Sequence, residues 1–395
     1  MVEWKKLGEV FEIRNGYTPS KNNPDYWENG TIPWFRMEDI RLNGGILSDS
    51  IQHITPASIK TSGLFPANTI IVATTATIGE HALVIVDSLA NQQFTALVSR
   101  KSLTQSVLPR FAYYYCFKLD DWCKNHIRQG GFASVDMDGF KKYPFPIPSL
   151  SEQNRIVGIL DTFTASIDNL KEQIAQRRKQ YNWFLDKAYY PDKHALTEAA
   201  DKGEIKIKTF DEIGTFTRGK RFVRTDIVEE GVPCIHYGDM YTYYGVCADK
   251  TPTHITKEKA AKLRFASKGD VVIVGAGEND IDIGVGVAWL GEEDVVIHDA
   301  CYIFKHNMNP KYISYYLRSM NYHLQIRMGV VDGKICSISA KELGRTLIPV
   351  PSLSEQQRIV SILDTFEASI QNLEAQLSQR EKQYEYYRNK LLSFE

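Results

Sequence analysis

The sequence contains no long apolar run, no patterned cysteines and no excess of charge of either sign, and each absence argues against a class of protein. No run of about 18 apolar residues occurs, so the sequence predicts no membrane span. The N-terminus, Met-Val-Glu-Trp-Lys-Lys-Leu, lacks an apolar signal region. The six cysteines show no CxxC spacing, which argues against a disulfide framework or a zinc site and predicts a reducing cytoplasm. The formal net charge of −1 argues against a nucleic-acid binder unless its charges are segregated.

Catalytic motifs are also absent. Residues 271–277 resemble the start of a dinucleotide-binding fingerprint, but Asp280 stands at the third glycine position and no helix pattern follows. Residues 23–26, Asn-Pro-Asp-Tyr, are close to the catalytic motif of amino-methyltransferases, but no glycine-rich loop precedes them, and a turn is the better interpretation. The histidines form no i,i+4 pair with carboxylates at metal-ligand spacing. The sequence therefore predicts no catalytic residues and no metal site.

What the chain does contain is a repeat of half its length. Residues 146–181 and 349–384 share one pattern at a constant offset of 203 residues in a chain of 395. Both copies begin Pro-x-Pro-Ser-Leu-Ser-Glu-Gln-x-Arg-Ile-Val and end in Gln-Tyr. A repeat of this length is too long for a solenoid or propeller blade. It indicates two copies of one unit, each a domain followed by a helix.

The repeated stretch predicts a long helix with a narrow apolar stripe. A serine three residues before a glutamate forms a capping-box pattern, with Ser149 or Ser151 as the first cap and Ser352 or Ser354 as the second. Apolar residues then recur at spacings of three and four, as in a coiled coil, and each helix would be about 38 residues or roughly 57 Å long. Arg177 and Arg380 interrupt the two series. The predicted seam consists of Leu160, Phe163, Ile167, Leu170, Ile174, Leu363, Phe366, Ile370, Leu373 and Leu377.

The two stripes match position by position, so we expect the helices to pair with each other in antiparallel fashion around a pseudo-two-fold axis. The alternative is that each helix packs only along its own domain. The expected boundaries are 1–147 for the first domain, 148–190 for the first helical spacer, 191–350 for the second domain and 351–395 for the second spacer.

Each domain shows a mixed α and β pattern, so the predicted fold class is α+β. In the first half we expect a short helix over 7–13, strands at 32–36, 69–73 and 81–86, and a helix over 108–127. The second half repeats this plan, with a strand at 269–274 and a helix over 310–326. The scaffold is shared and the loop residues differ, which suggests two related binding sites with different specificities.

The loops carry basic and aromatic residues at matched positions in the two halves. Such side chains suit contacts to phosphates and base edges, although a solvated loop is the better interpretation for any one of them alone. The candidates are Arg14, Asn15, Tyr17, Thr18, Lys21, Arg36, Arg41, Arg128, Gln129, Arg218, Lys220, Arg221, Arg224, His236, Tyr237, Tyr241 and Lys334.

The whole chain resembles the specificity subunits of type I restriction-modification systems, the HsdS family. The most specific marker is Pro-Ser-Leu-Ser-Glu-Gln-x-Arg-Ile-Val at 148–157 and 351–360, which is similar to the Pro-Leu-x-Glu-Gln-x-x-Ile pattern of that family. The resemblance implies a non-catalytic DNA-binding subunit of a bacterial or archaeal cytoplasm. Each target-recognition domain would read one half of a bipartite double-stranded DNA site, and the coiled coil would set the gap.

The same resemblance implies the partners and cofactors. Two methyltransferase subunits would bind the helices, and restriction and translocase subunits would join that core. The methylated base would be adenine, with S-adenosylmethionine, ATP and Mg bound by the partners and no cofactor in this chain. Two other classes stay open: a methyltransferase acting alone, which would need a donor-binding motif, and a coiled-coil scaffold with two protein-binding domains and no DNA.

Overall fold

The computed structural model describes residues 2–128, 133–189, 205–278, 280–331 and 333–394. The chain folds into two compact units: unit 1 is Met1–Asn169 with Gln376–Glu395, and unit 2 is Leu170–Ala375. Within the described ranges, no helix combines the length and the apolar character that crossing a membrane requires.

Unit 1 contains domain 1, the beginning of the first long helix and the end of the second. Its strands are β1 (Glu3–Lys6), β2 (Phe11–Asn15), β3 (Ile32–Phe35), β4 (Ile46–Leu47), β5 (His53–Ile54), β6 (Thr69–Ala73), β7 (His81–Val84), β8 (Leu89–Ala90), β9 (Phe94–Ser99), β10 (Ile127–Arg128), β11 (Ser134–Val135) and β12 (Pro144–Ile147). Its helices are α1 (Leu7–Val10), α2 (Met37–Asn43), α3 (Pro109–Asn125) and α4 (Met137–Lys142), followed by the first half of the long helix α5 (Leu150–Tyr189).

Unit 2 contains the rest of α5, domain 2 and the beginning of the second long helix. Its strands are β13 (Lys206–Thr209), β14 (Gly214–Arg218), β15 (Ile227–Val228), β16 (Val232–Ile235), β17 (Cys247–Ala248), β18 (Thr253–Ile255), β19 (Phe265–Ala266), β20 (Val271–Val274), β21 (Ala276–Gly277), β22 (Gly286–Trp289), β23 (Val295–Ile297), β24 (Cys301–His306), β25 (Cys336–Ser337) and β26 (Leu347–Val350). Its helices are α6 (Phe210–Ile213), α7 (Asp239–Thr242), α8 (Lys257–Ala260), α9 (Pro310–Tyr316), α10 (Met320–Ile326), α11 (Ala340–Gly344) and α12 (Leu353–Leu391).

Each domain is built around a five-stranded sheet with the same strand order. The order is β2-β9-β6-β7-β4 in domain 1 and β14-β24-β20-β22-β17 in domain 2. In both sheets the first four strands are antiparallel and the last one pairs in parallel. The central strands β6 and β20 are buried along their whole length, as their uninterrupted apolar runs predict. Asn68 and Gly269, at φ 68° and 95°, make the matching turns before these strands.

A second, smaller sheet also repeats. In domain 1, β3 lies between antiparallel β5 and parallel β8, and in domain 2, β16 lies in the same way between β18 and β23. Domain 2 extends this sheet with β15 and β19. The short sheets β1-β12 and β13-β26 join the start of each domain to its last strand.

A buried glutamine fixes the first turn of each long helix to the domain before it. Gln153 accepts a hydrogen bond from the backbone N–H of Leu108 (2.9 Å), and Gln356 accepts one from Asn309 N–H (2.9 Å). Both side chains are at most 2 % exposed. The caps are Ser149 and Ser352, whose hydroxyls accept from the N–H groups three residues on at 3.3 and 3.2 Å. The glutamine of the repeated motif is therefore an anchor as well as a helix residue.

A second anchor follows two turns later. Asp161 accepts hydrogen bonds from Tyr114 and Arg110, each at 2.5 Å. Asp364, at the same place in unit 2, accepts from Tyr315 (2.7 Å) and pairs with Lys311 (2.5 Å). Tyrosines that read as plain core residues in the sequence therefore also attach each domain to its helix.

The long helices pair, as the matched stripes predict. In unit 1 Phe163, early in α5, contacts Tyr384 and Tyr387 near the end of α12. In unit 2 Phe366, early in α12, contacts Tyr181 and Phe184 near the end of α5. The beginning of one helix thus meets the end of the other in both units, which is the antiparallel arrangement. None of the ten predicted seam residues is exposed.

Two helix predictions need correction. Only residues 7–10 of the expected 7–13 helix are helical, because from Phe11 onward the chain pairs with β9 as strand β2. The expected 310–326 helix is two helices, because Ser319 interrupts it and caps α10 with a hydrogen bond from Tyr322 N–H (3.3 Å). The domain boundaries stay a prediction, and the one at 190 lies outside the described residues.

Candidate DNA-recognition surfaces

Two glycines at matched positions bring two loops together in each domain. Gly16 N–H donates to the Phe94 carbonyl and Gly219 N–H to the Cys301 carbonyl, both at 2.9 Å. A Cβ at Gly16 would overlap the carbonyl oxygens of Asn91 and Ala90, and a Cβ at Gly219 would overlap those of His298 and Ile297. Only glycine permits this approach. The loop after β2 or β14 therefore lies against the loop after β8 or β23.

An aspartate, buried in domain 1 and half-buried in domain 2, fixes a third element of each surface. Asp39 accepts a hydrogen bond from Arg36 N–H (2.6 Å), and Asp239 accepts one from His236 N–H (3.0 Å). The chain leaves β3 and β16 at these points, so Arg36 and His236 occupy equivalent places. The frame is the same in both domains, while the side chains that it carries differ.

In domain 1 this surface is largely uncharged. The Thr18 hydroxyl donates to the Gln92 side chain, and Asn91 donates to Gln93 (3.3 Å). Arg36 lies over the Trp34 ring, 5.9 Å from its centroid, and its guanidinium is 3.8 Å from the carboxylate of Glu38. Asparagine and glutamine amides present both a donor and an acceptor, which is the combination that reads adenine in the major groove.

Two predicted candidates of domain 1 hold the loop 58–65 in place. The Arg14 guanidinium donates to the carbonyls of Leu64 (3.0 Å), Gly63 (2.9 Å) and Ser62. The Tyr17 hydroxyl donates to Ser58 O (3.1 Å) and accepts from Lys60 N–H (3.0 Å). We assign Arg14 a structural role on this basis. The remaining candidates here, Asn15, Lys21 and Arg41, are exposed.

In domain 2 the corresponding surface is strongly basic. Arg218 donates to the Asp299 carbonyl (2.7 Å), and Lys220 donates to the Lys262 carbonyl (2.9 Å). Arg264 donates in return to the Arg218 carbonyl. The bonds of Lys220 and Arg264 brace the loop 217–224 against the segment 256–264. The side chains of Arg221 and Arg224 are exposed on the same loop.

An aromatic cluster supports the basic loop. The ring centroid of His298 lies 5.1 Å from that of Phe222, 4.8 Å from that of His236 and 5.5 Å from that of Tyr237. Burial lowers the pKa of both His236 and His298, which favours neutral imidazoles. Each Nδ1 accepts a backbone N–H, from Gly238 (3.3 Å) and Ala300 (3.1 Å) respectively. In the neutral rings the proton therefore lies on Nε2.

Of the candidates that lie within the described ranges, the structure does not join Arg128, Tyr241 and Lys334 to these surfaces. Arg128 pairs with Asp136 and with Asp138 (3.1 Å) in its own segment. Lys334 is exposed, and Gln129 lies outside the described residues. The Tyr241 hydroxyl is buried, and a Cβ at Gly277 would lie 2.6 Å from it. Gly275 packs in the same way against the Tyr302 ring, so these two glycines serve packing.

Sequence reasoning missed several residues that the structure places on these surfaces. They are Asn91, Gln92 and Gln93 in domain 1 and Lys262, Arg264, His298 and Asp299 in domain 2. The basic run Lys-Glu-Lys-Ala-Ala-Lys-Leu-Arg at 257–264 could have indicated a basic surface from the sequence alone. No sequence pattern marks the loops at 91–93 and 298–299, because only the fold brings them to Gly16 and Gly219. Among the described residues, no group of three or more His, Cys, Asp or Glu side chains is arranged to hold a metal ion.

Comparison with known proteins agrees with this repeated architecture. A sequence model described as the type I restriction modification DNA specificity domain matches residues 1–177 and again 202–381. Two matches thus cover most of the chain, one for each predicted domain-plus-helix unit. The chain belongs to this family.

Relatives within the family are named as specificity subunits. The type I restriction enzyme EcoprrI specificity subunit of Escherichia coli is 44% identical over 239 residues, 58% of this chain and 58% of that protein. The EcoR124I/EcoR124II specificity subunit of Escherichia coli is 35% identical over 198 residues, 47% of each chain. These matches span about half the length of the relatives. The specificity name therefore describes the relatives, and its transfer to this chain is argued below.

A solved structure supports the fold over the full length. The crystal structure of the type I restriction-modification system S subunit from M. genitalium aligns with a TM-score of 0.54 and 17% identity, covering 100% of this chain and 97% of that one. The predicted α+β fold, with two tandem domains and a long helix pair, is confirmed by this likeness and by the elements described above.

Proposed function

We propose that this chain is the DNA-specificity subunit of a type I restriction-modification complex and performs no catalysis itself. The observation that carries the proposal is the pair of matched surfaces: Gly16 and Gly219, with Asp39 and Asp239, fix one main-chain frame that presents different polar side chains. A frame used twice with two sets of contacts suits two different DNA sequences. Membership of a DNA-specificity family supports DNA as the ligand of these surfaces.

Each domain reads one half of an asymmetric bipartite site. Domain 1 presents amides and Arg36, whereas domain 2 presents arginines, lysines and imidazoles. Each good bidentate base contact contributes roughly 1–3 kcal/mol of discrimination, so a few per domain suffice for a short half-site. Segregated charge also reconciles DNA binding with a net charge of −1.

The paired helices set the gap between the half-sites. Each helix is held to its own domain by a buried glutamine and a carboxylate, which are Gln153 and Asp161 in one unit and Gln356 and Asp364 in the other. A change in helix length therefore changes the position of the domain. Two methyltransferase subunits bind this chain, and restriction and translocase subunits join them in the cytoplasm. S-adenosylmethionine, ATP and Mg belong to those partners, where they supply the methyl group and drive translocation.

A methylome tests the proposal. The chain is co-expressed with the methyltransferase subunit encoded beside it in an unmethylated host, and N6-methyladenine is mapped by single-molecule sequencing. We expect one split motif with a fixed gap. Exchange of residues 1–147 for another recognition domain should change only one half. A purified complex that methylates no motif would contradict the proposal and favour a scaffold without DNA.

A further inference from the structure

We propose that, within this chain, domain 2 makes most of the electrostatic contacts to the DNA backbone. It makes them through a basic strip that domain 1 lacks. The strip consists of the exposed side chains Arg218, Lys220, Arg221, Arg224, Lys257, Lys262 and Arg264. Its ligand is the phosphodiester backbone, so it contributes affinity and orientation, while the base-reading side chains contribute specificity. The inference rests on the proposed function and adds that the two domains contribute unequally to binding of the DNA backbone.

The strip is one continuous surface because its two segments brace each other. Lys220 reaches the main chain of the segment 256–264 at Lys262 O (2.9 Å), and Arg264 reaches back to Arg218 O. The strip is only weakly neutralised from within. Glu258 is the one acid of these two segments. Asp226, just beyond the first segment, pairs with Lys259 (2.9 Å), which is not part of the strip.

Domain 1 makes the same brace with far fewer cations. Ile54 and Ile255 pair with equivalent residues of β3 and β16, and Phe65, which pairs with Ser88, occupies the place of Ala266, which pairs with Val295. The segment 54–63 therefore corresponds to 255–264 at an offset of 201. Here Arg14 joins the two loops by donating to the carbonyls of residues 62–64. Outside this brace the matched loops expose two basic side chains, Lys21 and Lys60. Lys60 also lies over the Tyr17 ring, 4.3 Å from its centroid.

Counterion release turns this difference into a measurable quantity. Each phosphate that a protein neutralises on duplex DNA adds about 0.9 to the slope of log affinity against log salt. With Arg14 counted, the matched segments carry three cations in domain 1, against the seven of the strip in domain 2. The four additional cations predict that most of this chain's contribution to the slope comes from domain 2. The contacts carry no base information, so their loss should weaken binding uniformly across sequences.

Position 61 and position 262 offer a reciprocal exchange. Thr61 and Lys262 are equivalent, and both are exposed. Binding of the complete complex with its methyltransferase subunits to a fluorescent duplex carrying the cognate site is measured between about 50 and 300 mM KCl. Lys262→Thr should lower the salt slope by about 1, and Thr61→Lys should raise it by about 1. The methylated motif should stay the same in both variants.

A second pair of variants compares the domains directly. The triple variant Arg221→Gln, Arg224→Gln, Lys262→Thr should lower the slope by about 3, whereas Lys21→Gln with Lys60→Gln should lower it by at most about 2. Equal losses from the two domains, or an unchanged slope in the triple variant, would overturn the inference. So would a changed motif in Lys262→Thr, because that side chain would then be reading a base. A wild-type complex that binds no duplex would instead contradict the proposed function.

Discussion

The Arg380 guanidinium lies over the Phe163 ring, 5.6 Å from its centroid, at the place in unit 1 where Arg177 lies over Phe366 (5.8 Å) in unit 2. The two arginines are the residues that interrupt the apolar stripes of the sequence. Each is a cation–π contact between the two long helices, so the interruptions belong to the helix interface.

Replacing either arginine should weaken the helix pair. Arg380→Ala or Arg177→Ala should reduce the free energy of unfolding by about 1 kcal/mol, because the cation–π contact and the packing of the aliphatic stem are lost. Urea unfolding measures the change, and a double-mutant cycle with Phe163→Leu isolates the pair. Arg178→Ala is the matched control, since Arg178 forms an exposed ion pair with Glu374 (2.5 Å) worth well under about 1 kcal/mol. A cost for Arg178→Ala as large as that for Arg177→Ala would argue against the cation–π contact.

The buried glutamines Gln153 and Gln356 should contribute more to stability than glutamines on the protein surface do. Gln153→Leu leaves the Leu108 N–H without its acceptor, and Gln356→Leu does the same to Asn309. We expect each variant to lose about 1–3 kcal/mol of stability and to exchange that one amide hydrogen faster. Hydrogen exchange followed by mass spectrometry reports both effects. The exposed Gln180→Leu should change neither.

His306 predicts a loss of stability in acid. Burial lowers the pKa of its imidazole from 6.5 to about 4, because its Nε2 atom is enclosed without a hydrogen-bond partner. The unfolded chain binds the proton more readily, so stability is fully present above pH 6.5 and falls as the pH drops toward 4. The loss should reach about 3 kcal/mol. Urea unfolding at several pH values should show a shallower dependence in His306→Asn, and an identical dependence would contradict the assignment.

The two loop glycines should each control one half-site. A methyl group in Gly16→Ala overlaps the Asn91 and Ala90 carbonyls, and one in Gly219→Ala overlaps those of His298 and Ile297, so the loops must separate. We expect a stability cost of about 1–3 kcal/mol and at least a tenfold loss of methylation by the complex. Relaxed specificity should appear in a different half of the motif for each variant. Gly158→Ala, in the open helix position of α5, should be harmless or slightly stabilising.

Helix length should set the gap of the DNA site. Deleting residues 164–170 and 367–373 removes one heptad from each helix, which shortens both by about 10 Å, or roughly three base pairs. The methylome should show the same half-sites with a shorter gap. The anchors Gln153, Asp161, Gln356 and Asp364 remain in place, so the domains should stay attached. An assembled complex that keeps the parent gap would refute the role of the helices.

Periodicity predicted the long helices and the central strands, because these elements follow from apolar spacing, and the match between the two copies predicted the antiparallel pairing. Leu160 and Leu363 are fully buried in the cores of their units, while their place in the helix seam stays a prediction. The same reasoning extended α1 to Ile13, since strand pairing with β9 depends on residues more than 80 positions away. It also missed Ser319 as a cap, because a serine within a helical pattern is ambiguous.

Candidate surface residues were harder to predict. A polar side chain in a loop can either hold a neighbouring loop in place or face a ligand, and the two roles look the same in sequence. Arg14 and Arg218 are both arginines at the end of an edge strand, yet Arg14 donates to three carbonyls of a neighbouring loop, while Arg218 forms part of an exposed basic surface. Asn91 and His298 became candidates only because Gly16 and Gly219 pack against their carbonyls. Contacts of this kind have no sequence period.

The glycine contacts have a consequence for how such a protein can evolve. Gly16 and Gly219 touch main-chain oxygens, and Asp39 and Asp239 bind main-chain N–H groups, so the frame does not depend on which side chains stand at 91–93 or 298–300. Substitutions there can therefore accumulate without unfolding the domain. New target sequences are then accessible in few mutational steps, and the two halves of the chain can diverge independently while their architecture stays identical.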